Sequence, residues 1–556
     1  MEYIVIVVGV IALLIAKGIY DSQNEKKKLH FKLLNSFGTV SDQEYSEEKL
    51  KSLKSYYEAV KDTFDIDEIT WNDLELEELY MVLNNTVSAV GEEYLYAMLR
   101  KPQFDEVEME ERERLISFFG TEVEKRLSVQ KALYQIGKNR KHSVYACMEL
   151  MKTLRGSSNL LHWASFLALV ASVVLAFLVP TVGVFLIFAV ATVNMFTYMK
   201  HRTNLEMCLT TITNVVRLLY AAEDLGKLEI PEIKEYTDKM KQLNQNFAAF
   251  KRNFWIIGSR KPTGDIMDML VSYVRMLFHL DLIKFNNMMK LYEKHAEDLK
   301  VLYEAAGYLD ALCAVASFRA LLGTEGFCAP VLSKEPTPVY EVEGLYHPLL
   351  ENPVRNSIFT GRSVLLTGSN ASGKSTFLKS VAIGALLAQT IHTVPATSYK
   401  GSYFQILSSM ALRDNMQGNE SYFIVEIKSL KRIYEAAKAP VCTLCFVDEV
   451  LRGTNTVERI AASREVLAGL ANNGRTLCFA ATHDIELTYL LEQECDNYHF
   501  EETVTDDKVE FDYMLKEGRA TSRNAIKLLR MLGYPEEIIK KAEHSAEQFL
   551  KTGEWN

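Results

Sequence analysis

The sequence predicts a multidomain α + α/β protein with transmembrane helices, an all-α body and a C-terminal phosphate-loop domain. Three observations predict it. Gly368 to Ser375 is a complete G-x4-G-K-S loop set between an apolar run and a helical pattern. Trp163 to Met199 carries no Asp, Glu, Lys or Arg. Most of the remaining chain before Pro330 is charged, poor in Gly and Pro, and spaced at i, i+3, i+4, as from Asn253 through Tyr308.

Taken in order, residues 1–20 read as a first membrane helix. Tyr3 to Ala16 is uncharged, and Lys17 can snorkel at its end. Only Glu2 precedes it, so the basic start of a secretory signal is missing. Lys26-Lys27-Lys28 follows, which puts the N-terminus outside and the chain after the helix in the cytoplasm. Residues 29–160 read as the first part of a helical body. Residues 161–200 read as a transmembrane hairpin: the uncharged run is about twice one spanning helix. Pro180 and Gly183 sit near its middle, and Lys152, Arg155, Lys200 and Arg202 flank it, so both ends are expected to be cytoplasmic. Residues 201–329 read as the second helical part. From Pro330 short strands alternate with helices, the α/β texture, and this domain is placed at 330–535. A short helical tail, 536–556, ends the chain. The expected location is therefore the cell membrane, multi-pass, with every large polar segment on the cytoplasmic side.

Composition bounds the function. At 556 residues the chain has room for about three or four domains. Its net charge is −10, which disfavours a protein that coats nucleic-acid phosphates over a wide surface. A local basic group remains: Lys251, Arg252, Arg260 and Lys261, near Phe254 and Trp255. Such residues suit nucleic-acid phosphates and bases, although lipid headgroups or a solvated helix face compete as explanations. Eight scattered cysteines give no disulfide framework. Cys442 and Cys445 lie three apart on an apolar run, so on a strand they face opposite ways and read as buried hydrophobes.

The chemistry concentrates in the last domain. Ser363–Thr367 reads as a strand and the run from Thr376 as a helix, the setting a phosphate loop needs. Gly368, Ser369, Asn370, Ala371, Ser372, Gly373, Lys374, Ser375 and Thr376 are the nucleotide-binding candidates. The glycines let backbone N–H groups wrap a phosphate, and the helix N-terminus favours its charge. Lys374 suits the β- and γ-phosphates, and Ser375 suits Mg2+, so ATP and Mg2+ are the expected ligands. Thr443 to Glu449 is an apolar strand ending in two carboxylates, some 74 residues after Lys374. Asp448 is the second Mg2+ candidate, and Glu449 the group to orient and deprotonate a water. A further strand, Thr476 to Thr482, ends at His483, at the edge where such sheets hold ligands.

These motifs together resemble the MutS mismatch-repair ATPases, of the ABC-type ATPase group. His347-Pro348 is similar to the segment leading into that ATPase, and Thr367–Thr376 to its phosphate loop. Ser369, Ala371 and Ser372 stand where the family usually has Pro, Met and Gly. Val394-Pro395-Ala396, the Asp414–Glu426 segment with Gly418 and Ser421, Asp448–Thr456, Ala481–Asp484 and Gly518–Ala542 resemble successive later motifs. Asp484 replaces an aromatic residue. Upstream, Trp71–Leu76 and Leu83–Gly91 resemble the start of the family's helical core.

The resemblance implies a C-terminal ATPase with a mixed sheet and an all-α core and lever. It implies a homodimer with two composite sites. Each ATP would lie between one phosphate loop and the Ser421 segment of the other subunit, with Thr454, Asn455 and Thr456 near the facing subunit. The family's N-terminal mismatch reader and its connector are expected to be missing. A membrane hairpin stands where the family builds a DNA-clasping module, and no nuclease-like domain is expected at the C-terminus. The leading expectation is a membrane-anchored ATPase with a clamp-like cycle, with DNA as the candidate partner and mismatch specificity in question. The alternative is an ATP-dependent membrane switch acting on a protein or lipid partner without DNA. A transporter-energising subunit is a weaker third, because the spans carry few polar residues beyond Asn194.

Overall fold

The computed structural model describes residues 2–139, 143–153, 156–254, 273–369, 371–410, 422–451, 454–504, 509–520 and 525–552. The chain divides into two compact units. The first comprises Met1–Lys61, Leu83–Ala97 and Arg114–Leu321; the second comprises Asp62–Val82, Met98–Glu113 and Leu322–Asn556.

The first unit is helical. Its N-terminal helix, Glu2–Ser36, runs past the expected span. Ser46 caps the next helix, Glu47–Val60, by accepting from Lys49 N, and Glu47 and Glu48 suit the positive end of the helix dipole. Two buried carboxylates organise the interior. Glu93 accepts from Ser143 Oγ, from the backbone N–H groups of Val144 and Tyr145, and from Tyr303 OH. Burial still pushes its carboxyl up to about 7. Asp310 accepts from Val87 N, Ser88 N and Ser88 Oγ at the start of the helix that begins at Ala89. A Cβ at Gly91 would lie 2.2 Å from Asp310 Oδ2, so only glycine fits there. The Leu83–Gly91 segment is thus built around one aspartate more than two hundred residues away.

Two helices flank Pro180, where a transmembrane hairpin is expected. Leu160–Leu178 and Pro180–Leu225 are helices, with Pro180 at the first turn, where its missing N–H costs nothing. The second helix continues for 46 residues, so the chain stays helical straight through residue 200, where a domain boundary was expected. Leu160–Leu178 and Pro180–Lys200 are long and apolar enough to cross a membrane, and only 17% of each apolar window is buried. A third helix of that composition, Leu280–Leu322, is 78% buried over its window, so it reads as packed core. It is kinked at His295. Polar contacts tie its start to the hairpin: Tyr198 OH donates to Asp281 Oδ2 at 2.6 Å, and Asn194 Nδ2 donates to Leu277 O at 2.9 Å.

The second unit contains the sheets. Strands are β1 Val331–Ser333, β2 Tyr340–Leu345, β3 Asn356–Thr360, β4 Ser363–Thr367, β5 Ser398–Ser402, β6 Phe404–Ser409, β7 Cys442–Asp448, β8 Thr476–Ala481, β9 Cys495–His499, β10 Glu502–Val504, β11 Val509–Phe511 and β12 Lys516–Glu517. A six-stranded sheet runs in the order β12-β9-β4-β8-β7-β6. Five strands are parallel and β12 is antiparallel, so the sheet is mixed. A four-stranded sheet, β1-β5-β2-β3, lies beside it in sequence, and β10 and β11 form a separate antiparallel pair. β4 and β8 are buried along their whole length, which is why they read as unbroken apolar runs. The fold class is α + α/β.

Two N-terminal pieces belong to this second unit, although the sequence suggested the helical body for them. The physical reason is polar pairing with β6 and its neighbours. Asp73 Oδ2 accepts from Ser408 Oγ at 2.7 Å and from Met410 N at 2.9 Å, and Thr70 Oγ1 accepts from Ser408 N. Asp67 pairs with Arg432. Gln103 N donates to Gln389 O at 2.9 Å, and Glu113 pairs with His392 at 2.8 Å.

Candidate functional site

The site lies at the carboxyl ends of β4, β8 and β7, which are adjacent in the sheet. β4 ends at Thr367 and releases the phosphate loop. Gly368 has φ +144°, and a Cβ there would meet Phe500 O at 2.7 Å. Gly373 has φ +108° and caps the helix Lys374–Thr390 in the left-handed region. The helix is buried on nearly all sides, so its N-terminus is held rigidly under the loop. Lys374 Nζ donates to Gly368 O at 2.9 Å and Ser369 O at 2.7 Å, which curls its charge over the loop. Ser369 donates to Glu502 Oε2 at 2.7 Å. Ser372 is buried, and its hydroxyl has no hydrogen-bond partner among the described residues.

Ser375, one residue into the helix, donates to Asp448 Oδ2 at 2.5 Å. Asp448 Oδ1 is buried without a hydrogen-bond partner among the described residues. A hydroxyl beside a carboxylate with a spare oxygen is the donor set a hard divalent cation takes, so these two residues fit Mg2+.

Glu449 and His483 meet at the same edge. Asp448 is in register with Ala481, so β7 and β8 end side by side. Glu449 N donates to Ala481 O at 2.9 Å, and its side chain reaches His483 Nε2 at 3.3 Å. Glu449 has φ +57°, and so does Leu451, a left-handed pair of non-glycine residues right after the strand. Such geometry costs roughly 1–2 kcal/mol per residue and recurs where a functional side chain must be aimed. Glu426, on the helix Tyr422–Ala436, accepts from Leu451 N and braces this turn.

A cavity of about 510 Å3 opens beside the loop, within the range of small-molecule sites. Ala371 through Thr376 and Glu449 form one wall; His347, Val354, Phe500 and Tyr513 form others. Asn356 sets the Tyr513 segment: its amide donates to Tyr513 O at 3.0 Å and accepts from Leu515 N at 2.7 Å. His347 is buried, which pushes its imidazole down to about 4, with Lys379 adding to the effect. It is neutral at physiological pH. The arrangement can offer a loop of N–H groups and a lysine to phosphate, a hydroxyl–carboxylate pair to a cation, a carboxylate beside an imidazole, and a partly aromatic chamber.

Residues 364–550 match the family described as MutS domain V. The chain is 29% identical over 274 residues to a DNA mismatch repair protein MutS of Natronomonas pharaonis, covering 48% of this chain and 31% of that protein. It is 31% identical over 260 residues to DNA mismatch repair protein MutS 2 of Halobacterium salinarum, covering 45% of this chain and 30% of the relative. The chain therefore matches under a third of the length of these curated relatives.

Of the residues singled out from sequence, Gly368, Ser369, Ala371, Ser372, Gly373, Lys374, Ser375, Thr376, Asp448, Glu449 and His483 gather at this edge. Asn370 and Ser421 lie outside the described residues, as do Trp255, Arg260 and Lys261. Lys251 is ion-paired with Glu223 at 2.5 Å, in the first unit. Cys442 and Cys445 are both buried on β7. Sequence reasoning missed Glu502, Asn356, Phe500 and Tyr513. Each reaches the site through folding of distant segments, and none sits in a spaced motif that could have marked it.

Proposed function

We propose that this chain is a membrane-anchored ATPase of the MutS type. It binds ATP with Mg2+ at composite sites of a homodimer, and hydrolysis drives a clamp-like opening and closing, with DNA as the candidate partner. The observation that carries the reading is the meeting of the Lys374 loop, the Ser375–Asp448 pair and the Glu449–His483 pair at one sheet edge.

The chemistry follows from those residues. Loop N–H groups and Lys374 hold the phosphates in place of water. Ser375 and Asp448 are the residues to hold Mg2+, which when bound neutralises charge on the β- and γ-phosphates. Glu449 accepts the proton of the attacking water, and His483, beside it, keeps that carboxylate and the terminal phosphate in register. Ser421 of the facing subunit completes each site in this account. Binding then favours the closed dimer, and loss of the γ-phosphate removes the contacts that favour it.

Membrane anchoring is supported by the hairpin surface, where Leu161, Phe177 and Phe185 are 80%, 86% and 73% exposed. Apolar side chains so exposed along two helices of spanning length suit lipid. The reading places the chain in the cell membrane, multi-pass, with the ATPase domain and the helical core on the cytoplasmic side. DNA as partner is supported by the names of the relatives, both DNA mismatch repair proteins. A second reading, an ATP-driven membrane switch acting on a protein or lipid partner, is favoured by the net charge of −10 and the same hairpin.

DNA binding by detergent-purified Glu449→Gln protein, with and without ATP, decides between them. Matched, mismatched and branched duplexes across a salt series give the readout. ATP-dependent, salt-sensitive retention supports the clamp on DNA. ATP-driven dimers with no DNA retained at low salt support the switch.

A further inference from the structure

His483 stands on a short connection between β8 and the six-residue helix Ile485–Leu490, and its side chain is 38% exposed. Something must keep so exposed a ring against Glu449. Backbone bonds account for part: Thr482 N donates to Leu366 O, and Asp484 N donates to Thr482 Oγ1 at 3.0 Å. The side-chain anchor is the residue after the histidine. Asp484 receives a two-pronged contact from Arg459, Nε to Oδ2 at 2.9 Å and Nη2 to Oδ1 at 2.5 Å. The pair is mostly buried, with the side chains 23% and 13% exposed. A fork of this kind fixes direction as well as distance, because both planar groups are locked.

Arg459 belongs to the helix Thr456–Ala471, whose N-cap Asn455 accepts from Val457 N. That helix follows the strand that delivers Asp448 and Glu449. Beyond the pairing of β7 with β8 and the Glu449–His483 contact itself, the two arms of this edge are joined by Glu449 N to Ala481 O and by Arg459 to Asp484. Neither Arg459 nor Asp484 lines the nucleotide cavity.

We propose that Arg459 and Asp484 are positioning residues for hydrolysis: their fork holds His483 at Glu449, so the attacking water is aligned without any contribution to nucleotide affinity. The proposal rests on the reading of Glu449 and His483 as the hydrolytic pair. Cut the fork and the connection is free to swing its ring toward solvent. Misplacing a catalytic group by about 1 Å can cost about a hundredfold in rate.

The test uses full-length protein in detergent with four variants: Lys374→Ala, Asp484→Asn, Arg459→Lys and the exchange Arg459→Asp/Asp484→Arg. Steady-state ATP hydrolysis gives kcat, and calorimetry gives ATP affinity. Asp484→Asn and Arg459→Lys are each expected to lower kcat by about 10- to 100-fold with affinity within about threefold of native. The exchange is expected to recover part of the lost rate. Unchanged kcat in both single variants overturns the proposal. So does a joint loss of affinity and rate, which marks the fork as mere scaffolding. If the native protein fails to hydrolyse ATP, or Lys374→Ala hydrolyses it equally well, the ATPase reading itself falls; native turnover with an inert fork sinks this inference alone.

Discussion

Replacing Lys374 with alanine probes the nucleotide site at its most charged point. Lys374 is 5% exposed, and its ammonium is drawn over the loop by Gly368 O and Ser369 O at 2.9 and 2.7 Å. On the proposed function, those carbonyls are the neutral partners it would exchange for phosphate oxygens on ATP binding. A hydrogen bond to a charged group contributes about 1.5–3 kcal/mol, so two to phosphate contribute roughly 3–6 kcal/mol. That corresponds to ATP binding weakened by about 100- to 20,000-fold. The loop also loses its internal clasp, so a drop of a few degrees in melting temperature is expected alongside. Calorimetric titration with Mg·ATP and a thermal melt measure the two effects. ATP affinity within about threefold of native, in a folded protein, would refute the assignment of this loop as the phosphate cradle.

Other substitutions test other parts of the account. Gly91→Ala drives a methyl to 2.2 Å from Asp310 Oδ2, so the helical unit should lose about 1–3 kcal/mol in denaturant titration; unchanged stability contradicts the packing described. Glu93 titrates near 7 in the fold, above the ordinary carboxyl value, so its folded form keeps a proton that the unfolded chain has released. Stability is then fully present below about pH 4.5 and falls as pH rises through about 7, by up to roughly 3 kcal/mol. Melts at pH 5 and pH 8 should show the loss in native protein and a smaller one in Glu93→Gln, and equal slopes would count against it. Ser375→Ala removes one of the two residues fitted to Mg2+, so Mg2+ should strengthen ATP binding less in the variant than in the native protein; an equal Mg2+ effect contradicts that seat.

Much of the second unit was legible because its information is local. Ser363–Thr367 is an unbroken apolar run ending at a glycine loop, and the strand has those bounds. Cys442–Asp448 and Thr476–Ala481 read the same way, since fully buried parallel strands carry no polar alternation. The hairpin was equally plain, because an uncharged run broken by Pro180 leaves few alternatives. What stayed hidden depends on partners far apart in sequence. The helix Glu68–Asp73 has an ordinary capped pattern, yet Asp73 serves Ser408 and Met410. Periodicity reports that a face is buried, not what buries it, so the partners of such a helix cannot be read from its own sequence. The same holds for Ser369 with Glu502 and for Arg459 with Asp484: two ordinary polar residues become a device only when the sheet brings their segments together.

On the proposed function, ATP joins two subunits around the Glu449 site and hydrolysis releases them. The direct measurement is multi-angle light scattering of detergent-solubilised Glu449→Gln protein with Mg·ATP, beside the native protein under the same conditions. The variant is expected to bind ATP, barely turn it over and accumulate as a dimer, while the native protein returns to its starting state as ATP is consumed. A variant that binds ATP and stays monomeric would contradict it.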